Sequence, residues 1–344
     1  MTPESMTPPV VAFVIAYWDD GKPWQREYLR LTLDSIVAQT DPNWRVYVVN
    51  DASPEPSATA YLDALTAWYG ERFAAIHSDR NGGCGPARNR ALPAVERDGG
   101  DVIAWLDADD LAHPDRVAVL RRMFAEDPEL EVVYNSIEFI DENGNPWAED
   151  ELLPSLRLLA REQAMPVLRG RDRWVDVAVE RENVAIPSAM SARLSLARRF
   201  PFPDVRFCED VATWFRFLGS GAKLDHADGS TLRYRVPRVG GSASRVLAGD
   251  LEYFNRLRCG NERAGLVDAI EMATARGVLT ATAGRSILCR YLIRIARTVS
   301  VDGHVGLATE QYADARSVDP TTFGQHATPE EQRMAEQVSV TRDS

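Results

Sequence analysis

The sequence predicts an α/β fold, in which helices flank a mostly parallel sheet and a helical extension follows at the C-terminus. The first half of the chain alternates apolar runs with segments of helical periodicity, and from about Gly249 onward the pattern is helical alone. Continuous apolar runs are typical of parallel strands buried on both faces. Right-handed βα crossovers bring the carboxyl ends of such strands to one edge of the sheet.

Local signals define each element in turn. The predicted strands are Val10–Ile15, Trp44–Val49, Phe73–His77, Val102–Leu106, Glu131–Asn135 and Ser136–Asp141. Between them, apolar residues at helical spacing predict Glu27–Gln39, a helix capped by Ser57, Pro86–Val95 and Asp115–Asp127.

The second half is less regular. It suggests a strand within Asn183–Arg193, a helix at Cys208–Leu218, a strand pair or hairpin in Ala222–Val236, and C-terminal helices at Asp250–Ala264, Leu266–Arg276, Ala283–Val299 and Gly306–Ser317. We divide the chain into a disordered start (1–9), a main domain (10–245, with halves 10–141 and 142–245), a helical region (246–330) and a frayed tail (331–344).

Composition excludes several classes of protein. The 344 residues carry a net charge of −12, whereas nucleic-acid binding needs a basic footprint. The four cysteines are scattered, so we expect neither a zinc site nor disulfides, and a reducing compartment fits. No apolar run approaches the roughly 20 residues of a membrane span. Because the N-terminus lacks a basic signal-peptide pattern, we expect a cytoplasmic protein, with peripheral membrane contact as the alternative.

The most informative stretch is Asp107-Ala108-Asp109-Asp110, directly after a predicted strand. Carboxylates this close repel one another unless a positive charge lies among them. A hard divalent cation, Mg²⁺ or Mn²⁺, that carries phosphate oxygens would supply that charge. The alternative is an acidic loop that caps the helix beginning near Pro114.

Polar residues follow the other predicted strands as well. Asp51 could accept hydrogen bonds from a base or ribose, or simply cap the turn that follows it. The glycines of the segment 82–85 allow close backbone approach before a helix N-terminus that favours anions, and Arg88 lies one turn further on. The spacing matches neither a dinucleotide-binding fingerprint nor a P-loop.

Together these segments resemble a family-2 glycosyltransferase of the GT-A fold, over roughly residues 10–245. The resemblance is carried by the following segments in order: Ile15-Ala16-Tyr17, Val48-Val49-Asn50-Asp51-Ala52-Ser53, Asn81-Gly82-Gly83, Ala87-Arg88-Asn89, Leu106-Asp107-Ala108-Asp109-Asp110 and Glu209-Asp210. The resemblance implies an inverting transfer from a nucleotide-diphospho-sugar, with UDP favoured, to a soluble acceptor such as a glycan, natural product or protein. It implies that residues 10–141 bind the donor and 142–245 form the acceptor side.

The resemblance also implies roles for individual residues. Asp210 would be the general base, Asp109 the main metal ligand, and Asp107 a second ligand near the ribose. The other donor-binding residues would be Ala16, Tyr17, Trp18, Asp51, Asn81, Gly82, Arg88 and Ala108. Glu209 would lie on the acceptor side. Independently of the resemblance, Trp214 could offer a stacking face to an acceptor sugar, although tryptophans are more often packed in the core. Acids also favour the first turn of any helix, which is the alternative explanation of Glu209-Asp210.

One departure from the family concerns a Tyr-Arg-x-His segment whose histidine helps to hold the metal. Here Pro237 or Arg238 replaces that histidine, so the third protein ligand is in doubt, and Arg238 could instead grip the diphosphate. The rival functions are a catalytically silent nucleotide-sugar-binding or scaffold domain and a sugar-nucleotide pyrophosphorylase. The C-terminal helices are expected to pack on the main domain or to form a homodimer.

Overall fold

The computed structural model of the protein describes residues 9–152, 154–181, 183, 185–238 and 250–342. Its strands are β1 (Val11–Tyr17), β2 (Trp44–Asn50), β3 (Phe73–His77), β4 (Val102–Trp105), β5 (Leu130–Tyr134), β6 (Ile137–Ile140), β7 (Met190–Arg193), β8 (Lys223–His226) and β9 (Leu232–Arg235). Its helices are α1 (Pro23–Val37), α2 (Ala58–Tyr69), α3 (Cys84–Arg97), α4 (Arg116–Glu126), α5 (Pro154–Ala164), α6 (Trp174–Glu180), α7 (Leu194–Arg199), α8 (Glu209–Gly219), α9 (Leu251–Ala275), α10 (Ala281–Val301), α11 (Val305–Val318), α12 (Pro320–His326) and α13 (Pro329–Arg342).

The main sheet has the strand order β3-β2-β1-β4-β7-β5-β8. Its neighbouring strands are parallel except where β7 runs antiparallel between β4 and β5. The predicted α/β class with a mostly parallel sheet and a helical C-terminal region is therefore confirmed. Because the chain turns outward from β1 to β2 and later returns to β4 on the other side, the strand order reverses between β1 and β4. Open α/β sheets bind ligands at the carboxyl ends of their strands at such a point.

A small second sheet corrects the predicted hairpin in 222–236. Strand β8 pairs with β5 in the main sheet, whereas β9 pairs in parallel with β6. The β5–β6 and β8–β9 connections pass from the main sheet to the small sheet side by side, where the side-chain amide of Asn135 donates to the Ser230 hydroxyl at 3.0 Å. An isolated bridge between Leu111 and Arg233 then attaches the small sheet to the loop after β4.

Other boundaries also differ from the prediction. Only Met190–Arg193 of the segment 183–193 is a strand, and it lies inside the main sheet; residues 182 and 184 lie outside the described residues. Helix α9 is continuous where two helices were predicted. The expected frayed tail is largely helix α13, in which Ala335 is buried. The predicted disordered start and the boundary at 245 lie outside the described residues, apart from Pro9.

The helical C-terminal region packs directly on α8. A Cβ placed on Gly265 of α9 would lie 2.5 Å from the Cα of Ala212, and one placed on Gly219 of α8 would lie 2.4 Å from the Cβ of Ala269. Small residues at both crossings therefore let the two backbones approach closely. The side-chain amide of Asn261 also donates to the carbonyl of Phe207 at 2.8 Å, just before α8 begins. None of the described helices has the length and apolarity to cross a membrane.

The close approach of α8 and α9 predicts opposite effects for one substitution at two positions of α9. Gly265→Ala should lower the free energy of unfolding by about 1–3 kcal/mol, because the added methyl group overlaps the α8 backbone. Gly260→Ala is the matched control, since no atom lies within 4 Å of the added Cβ. That variant should raise stability by about 0.4–1 kcal/mol through reduced freedom of the unfolded chain. Urea denaturation of both variants tests this, and a Gly265→Ala protein at least as stable as wild type would contradict it.

Candidate active site

The loop after β4 holds its acidic residues at two depths. Asp107 and Asp109 are partly exposed, whereas Asp110 is completely buried. One carboxylate oxygen of Asp110 accepts from the backbone N–H of Arg235 at 2.8 Å, and its carbonyl accepts from the Thr32 hydroxyl at 2.9 Å. Asp110 therefore fastens the loop to β9 and α1, and leaves Asp107 and Asp109 as the carboxylates able to meet a ligand.

The carboxylates of this loop destabilise one another's charge. Burial, and then the negative charge of Asp107, raise the pKa of Asp109 to about 7. Burial and both neighbouring carboxylates raise the pKa of Asp110 well above its ordinary value. Oxygen ligands and a local deficit of positive charge suit a hard divalent cation. No group of three His, Cys, Asp or Glu side chains among the described residues is arranged to hold a metal, so such a cation would need ligands from a substrate or water as well.

Arg235 supports this loop from below, and it has no role in the sequence-based site. Its Nε donates to the carbonyl of Asp109 at 2.8 Å, and its Nη1 donates to the carbonyls of Asp141 and Glu142 at 3.0 and 3.1 Å. The guanidinium also lies 4.6 Å from the centre of the Tyr28 ring. The only sequence signal was its place in the Tyr-Arg pair at 234–235, and nothing in that pair indicated that the side chain is buried.

The ends of β2 and β3 are joined through Asp51. Its carboxylate accepts from the backbone N–H groups of Gly82 at 3.0 Å and Gly83 at 2.8 Å. Its own carbonyl accepts from the side-chain amide of Asn81 at 3.1 Å. Gly83 has φ +88°, which glycine adopts at little cost. Asp51 thus holds the glycine-rich segment against the end of β2, and its carboxylate is almost entirely buried by these contacts.

The end of β1 presents one buried and one exposed ring. Tyr17 is buried, and its hydroxyl donates to Asp19 at 3.1 Å. Trp18 is 42% exposed, which is unusual for so large an apolar side chain. Ala16, partly buried, pairs with Val49 of β2. The exposed indole of Trp18 is the feature of this segment best placed to contact a planar ligand.

Arg88 connects the β4 loop to helix α8. It is 2% exposed, and its Nη2 lies 2.6 Å from Oδ1 of Asp107 while its Nη1 lies 3.0 Å from Oε1 of Glu209. The guanidinium thus lies between two acidic residues that are far apart in the chain. Arg88 therefore brings the acidic loop and the first turn of α8 to the same crevice.

Asp210 follows Glu209 in the first turn of α8. Burial, and then the charge of Glu209, raise its pKa to about 6. The preceding residue, Cys208, has the left-handed backbone conformation with φ 59°, which is uncommon outside glycine. A raised pKa and a strained backbone at one helix start are typical of functional sites.

The ring of Tyr234 interacts with carboxylates of both acidic segments. Burial raises its pKa well above the ordinary value, and so do the charges of Asp110, Asp109, Asp107 and Asp210. The loop after β4 and the start of α8 therefore both lie within electrostatic reach of one ring on β9.

Comparison with known proteins points to one family. Residues 14–176, just under half of the chain, match the family model described as Glycosyl transferase family 2. Over this segment the chain is similar to glycosyltransferase family 2. An uncharacterized glycosyltransferase of Rickettsia felis is 30% identical over 169 residues, which are 47% of this chain and 25% of that protein. The chain thus spans only about a quarter of that relative's length.

Solved structures support the GT-A fold of this chain. TarS of S. aureus, in complex with UDP-GlcNAc, superposes with a TM-score of 0.60 at 15% identity and covers 91% of this chain and 82% of its own. The mannosyltransferase PcManGT from Pyrobaculum calidifontis, in complex with GDP-Man and Mn²⁺, gives a TM-score of 0.50 at 16% identity, with 100% and 83% covered. At these identities the similarity concerns the fold.

Two further residues of the sequence-based site are held by other protein groups in the structure. Trp214 is 1% exposed: its Nε1 donates to the carbonyl of Ala185 at 2.8 Å, and its ring packs on Trp105 and Phe202. The assignment of Trp214 to the acceptor side is therefore wrong, because its ring is buried among other aromatic side chains of the core. Arg238 lies over Trp147, 4.5 Å from the ring centre, where its Nη2 contacts Glu151 at 2.9 Å.

The raised pKa of Asp210 predicts that removing its charge stabilises the fold. A carboxyl group whose pKa is raised on folding contributes stability below its unfolded pKa and loses it as pH rises through the folded value. Asp210→Asn should therefore raise the free energy of unfolding by about 1–3 kcal/mol above pH 7, and by much less near pH 4. Urea denaturation at both values of pH measures this difference. Equal effects at the two values would show that Asp210 is not held in an unfavourable environment.

Proposed function

We propose that this family-2 enzyme is a metal-dependent, inverting glycosyltransferase that uses a nucleotide-diphospho-sugar, with a UDP-sugar favoured, and a hydroxyl or other nucleophile of a soluble acceptor. The observation that carries the proposal is the arrangement around Arg88. Its guanidinium contacts Asp107 in the loop after β4 and Glu209 at the start of α8, and so joins the segments that carry Asp109 and Asp210. A cation site and a base close to one substrate are what displacement at an anomeric carbon requires.

In this proposal the chain positions the donor at the carboxyl ends of β1, β2 and β4. Ala16, Tyr17, Trp18 and Asp51 are assigned to the base and ribose, with Trp18 as the exposed stacking face. Asn81, Gly82 and Ala108 line the same region, and Arg238 remains a candidate for the diphosphate. Asp107 and Asp109 would hold Mn²⁺ or Mg²⁺, which neutralises the charge that develops on a leaving diphosphate. The division into a donor half and an acceptor half, and a homodimer through the C-terminal helices, likewise stay predictions.

Asp210 is assigned the proton transfer. A carboxylate with a pKa of about 6 is ionised at neutral pH and is a stronger base than an ordinary aspartate. It would accept the proton of the acceptor hydroxyl as that oxygen attacks the sugar. Glu209, bound to Arg88, is then held too firmly to serve as the base itself, and we assign it to fixing the start of α8.

Donor binding tests the cation site. Tm is measured with UDP-, GDP- and dTDP-sugars, each with and without Mn²⁺, since a ligand of the native state stabilises it by RT ln(1 + [L]/Kd). We expect one nucleotide to raise Tm only with Mn²⁺, and Asp109→Asn to abolish that shift. Asp101→Asn is the matched control, because Asp101 is exposed just before the opposite end of β4. A shift that persists in Asp109→Asn would place the cation elsewhere.

Turnover tests the base. Asp210→Asn should retain the Mn²⁺-dependent shift in Tm and lose turnover by about 10²–10⁴-fold, which is the usual contribution of general-base catalysis. The readout is hydrolysis of the bound donor without acceptor, or transfer once an acceptor is found. Donor binding without hydrolysis or transfer in the wild-type protein would favour the silent binding domain. Formation of a nucleotide-sugar from sugar phosphate and nucleoside triphosphate would favour a pyrophosphorylase.

A further inference from the structure

We propose that Arg88 is a positioning residue for Asp210: its guanidinium joins the loop after β4 to the start of α8 and, opposed by Glu209, sets the electrostatic environment of the candidate base. This inference rests on the proposed role of Asp210. It differs from the role that the family resemblance implies for Arg88, which was contact with the donor.

The side chain of Arg88 is held in place by protein groups. Both terminal nitrogens contact carboxylates, at 2.6 Å for Asp107 and 3.0 Å for Glu209, and the guanidinium lies 5.4 Å from the centre of the Phe202 ring. A side chain that is 2% exposed and held at both nitrogens is poorly placed to turn toward a substrate. Charge-assisted contacts of this kind fix orientation as well as energy.

Helix α3 carries Arg88 to this position and is itself fastened to the segment before α8. Asn89 donates from its side-chain amide to the carbonyl of Phe202 at 2.8 Å and accepts from the N–H of Phe202 at 3.0 Å. A Cβ placed on Gly85 would lie 2.9 Å from Cγ of Glu209, so the first turn of α3 touches that side chain directly. Arg88 and Glu209 are thus placed by two independent contacts between the same segments.

The charges around Asp210 act in opposite directions. Beyond the effect of burial, Glu209 raises the pKa of Asp210, whereas Arg88 lowers it. Among the described residues, Cys208, two positions earlier in the chain, and Tyr234 of β9 also interact with Asp210. Helix α9 contributes the Arg258–Glu262 ion pair, whose charges also act on Cys208. Removing the charge of Arg88 should therefore raise the pKa of Asp210, and removing the charge of Glu209 should lower it.

The test is the acidic limb of the pH profile of donor hydrolysis or transfer, measured in wild type, Arg88→Gln, Arg88→Lys and Glu209→Gln. Asp210 must be ionised to act, so activity should rise through pH 6 in wild type. Arg88→Gln should move the limb upward by about one pH unit, and Glu209→Gln should move it downward by a similar amount. Arg88→Lys should restore the wild-type limb even where its maximal rate is lower. A merely structural role lowers the rate in all variants and leaves the limb in place, which would overturn the inference.

A second readout needs no turnover. The stability difference between each protein and its Asp210→Asn derivative is measured against pH, because this difference reports the pKa of Asp210 directly. The pH at which this difference levels off, and its final size, should rise in Arg88→Gln and fall in Glu209→Gln. These shifts in a protein without transferase activity would sustain the inference while the proposed function fails. If Arg88→Gln does not fold, Glu209→Gln decides alone, and an unchanged levelling-off pH there overturns the inference.

Discussion

Negative charge gathered at one edge of a parallel sheet is the constraint on which the site depends. Asp107, Asp109 and Asp110 follow β4, and the start of α8 adds two more acids. Arg235 lies beneath them, and its side chain donates to backbone carbonyls rather than to these carboxylates. Arg88 is the basic residue that the described contacts pair directly with carboxylates of both segments. Burial, and then the charge of Asp107, still raise the pKa of Asp109.

The sequence predicted the strands that depend on local pattern and missed the pairings that depend on distant partners. Strands β1 to β4 are continuous apolar runs, so a mostly parallel sheet with polar residues at the carboxyl ends of its strands could be predicted from pattern, whereas the order of the strands could not. Strand β7 has four residues and no such run, and its pairing between β4 and β5 depends on partners distant in sequence. The hairpin prediction for 222–236 failed for a related reason, because a turn signal does not say which sheet each strand will join.

The directions of the side chains at the site could not be predicted from the sequence. Periodicity places Trp214 on α8 near Asp210, but only the packing of Trp105 and Phe202 around it shows that its ring faces the core. Arg235 was missed for the opposite reason, since a charged residue in a short strand suggests exposure. Its burial becomes favourable only when three carbonyls from separated segments converge on it. Long-range satisfaction of buried polar groups is a property of the fold rather than of a motif.

The C-terminal helices also support the start of α8. Gly265 and Gly219 let α9 and α8 approach until backbones touch, and Asn261 holds the carbonyl of Phe207. Both contacts bear on the turn at Cys208, whose left-handed backbone costs about 1 kcal/mol or more for a residue other than glycine. A strained turn and an aspartate with a raised pKa persist only where the surrounding packing holds them. A helix packed along α8 supplies that support from outside the family-matched segment, which links the least recognisable part of the sequence to the geometry of Asp210.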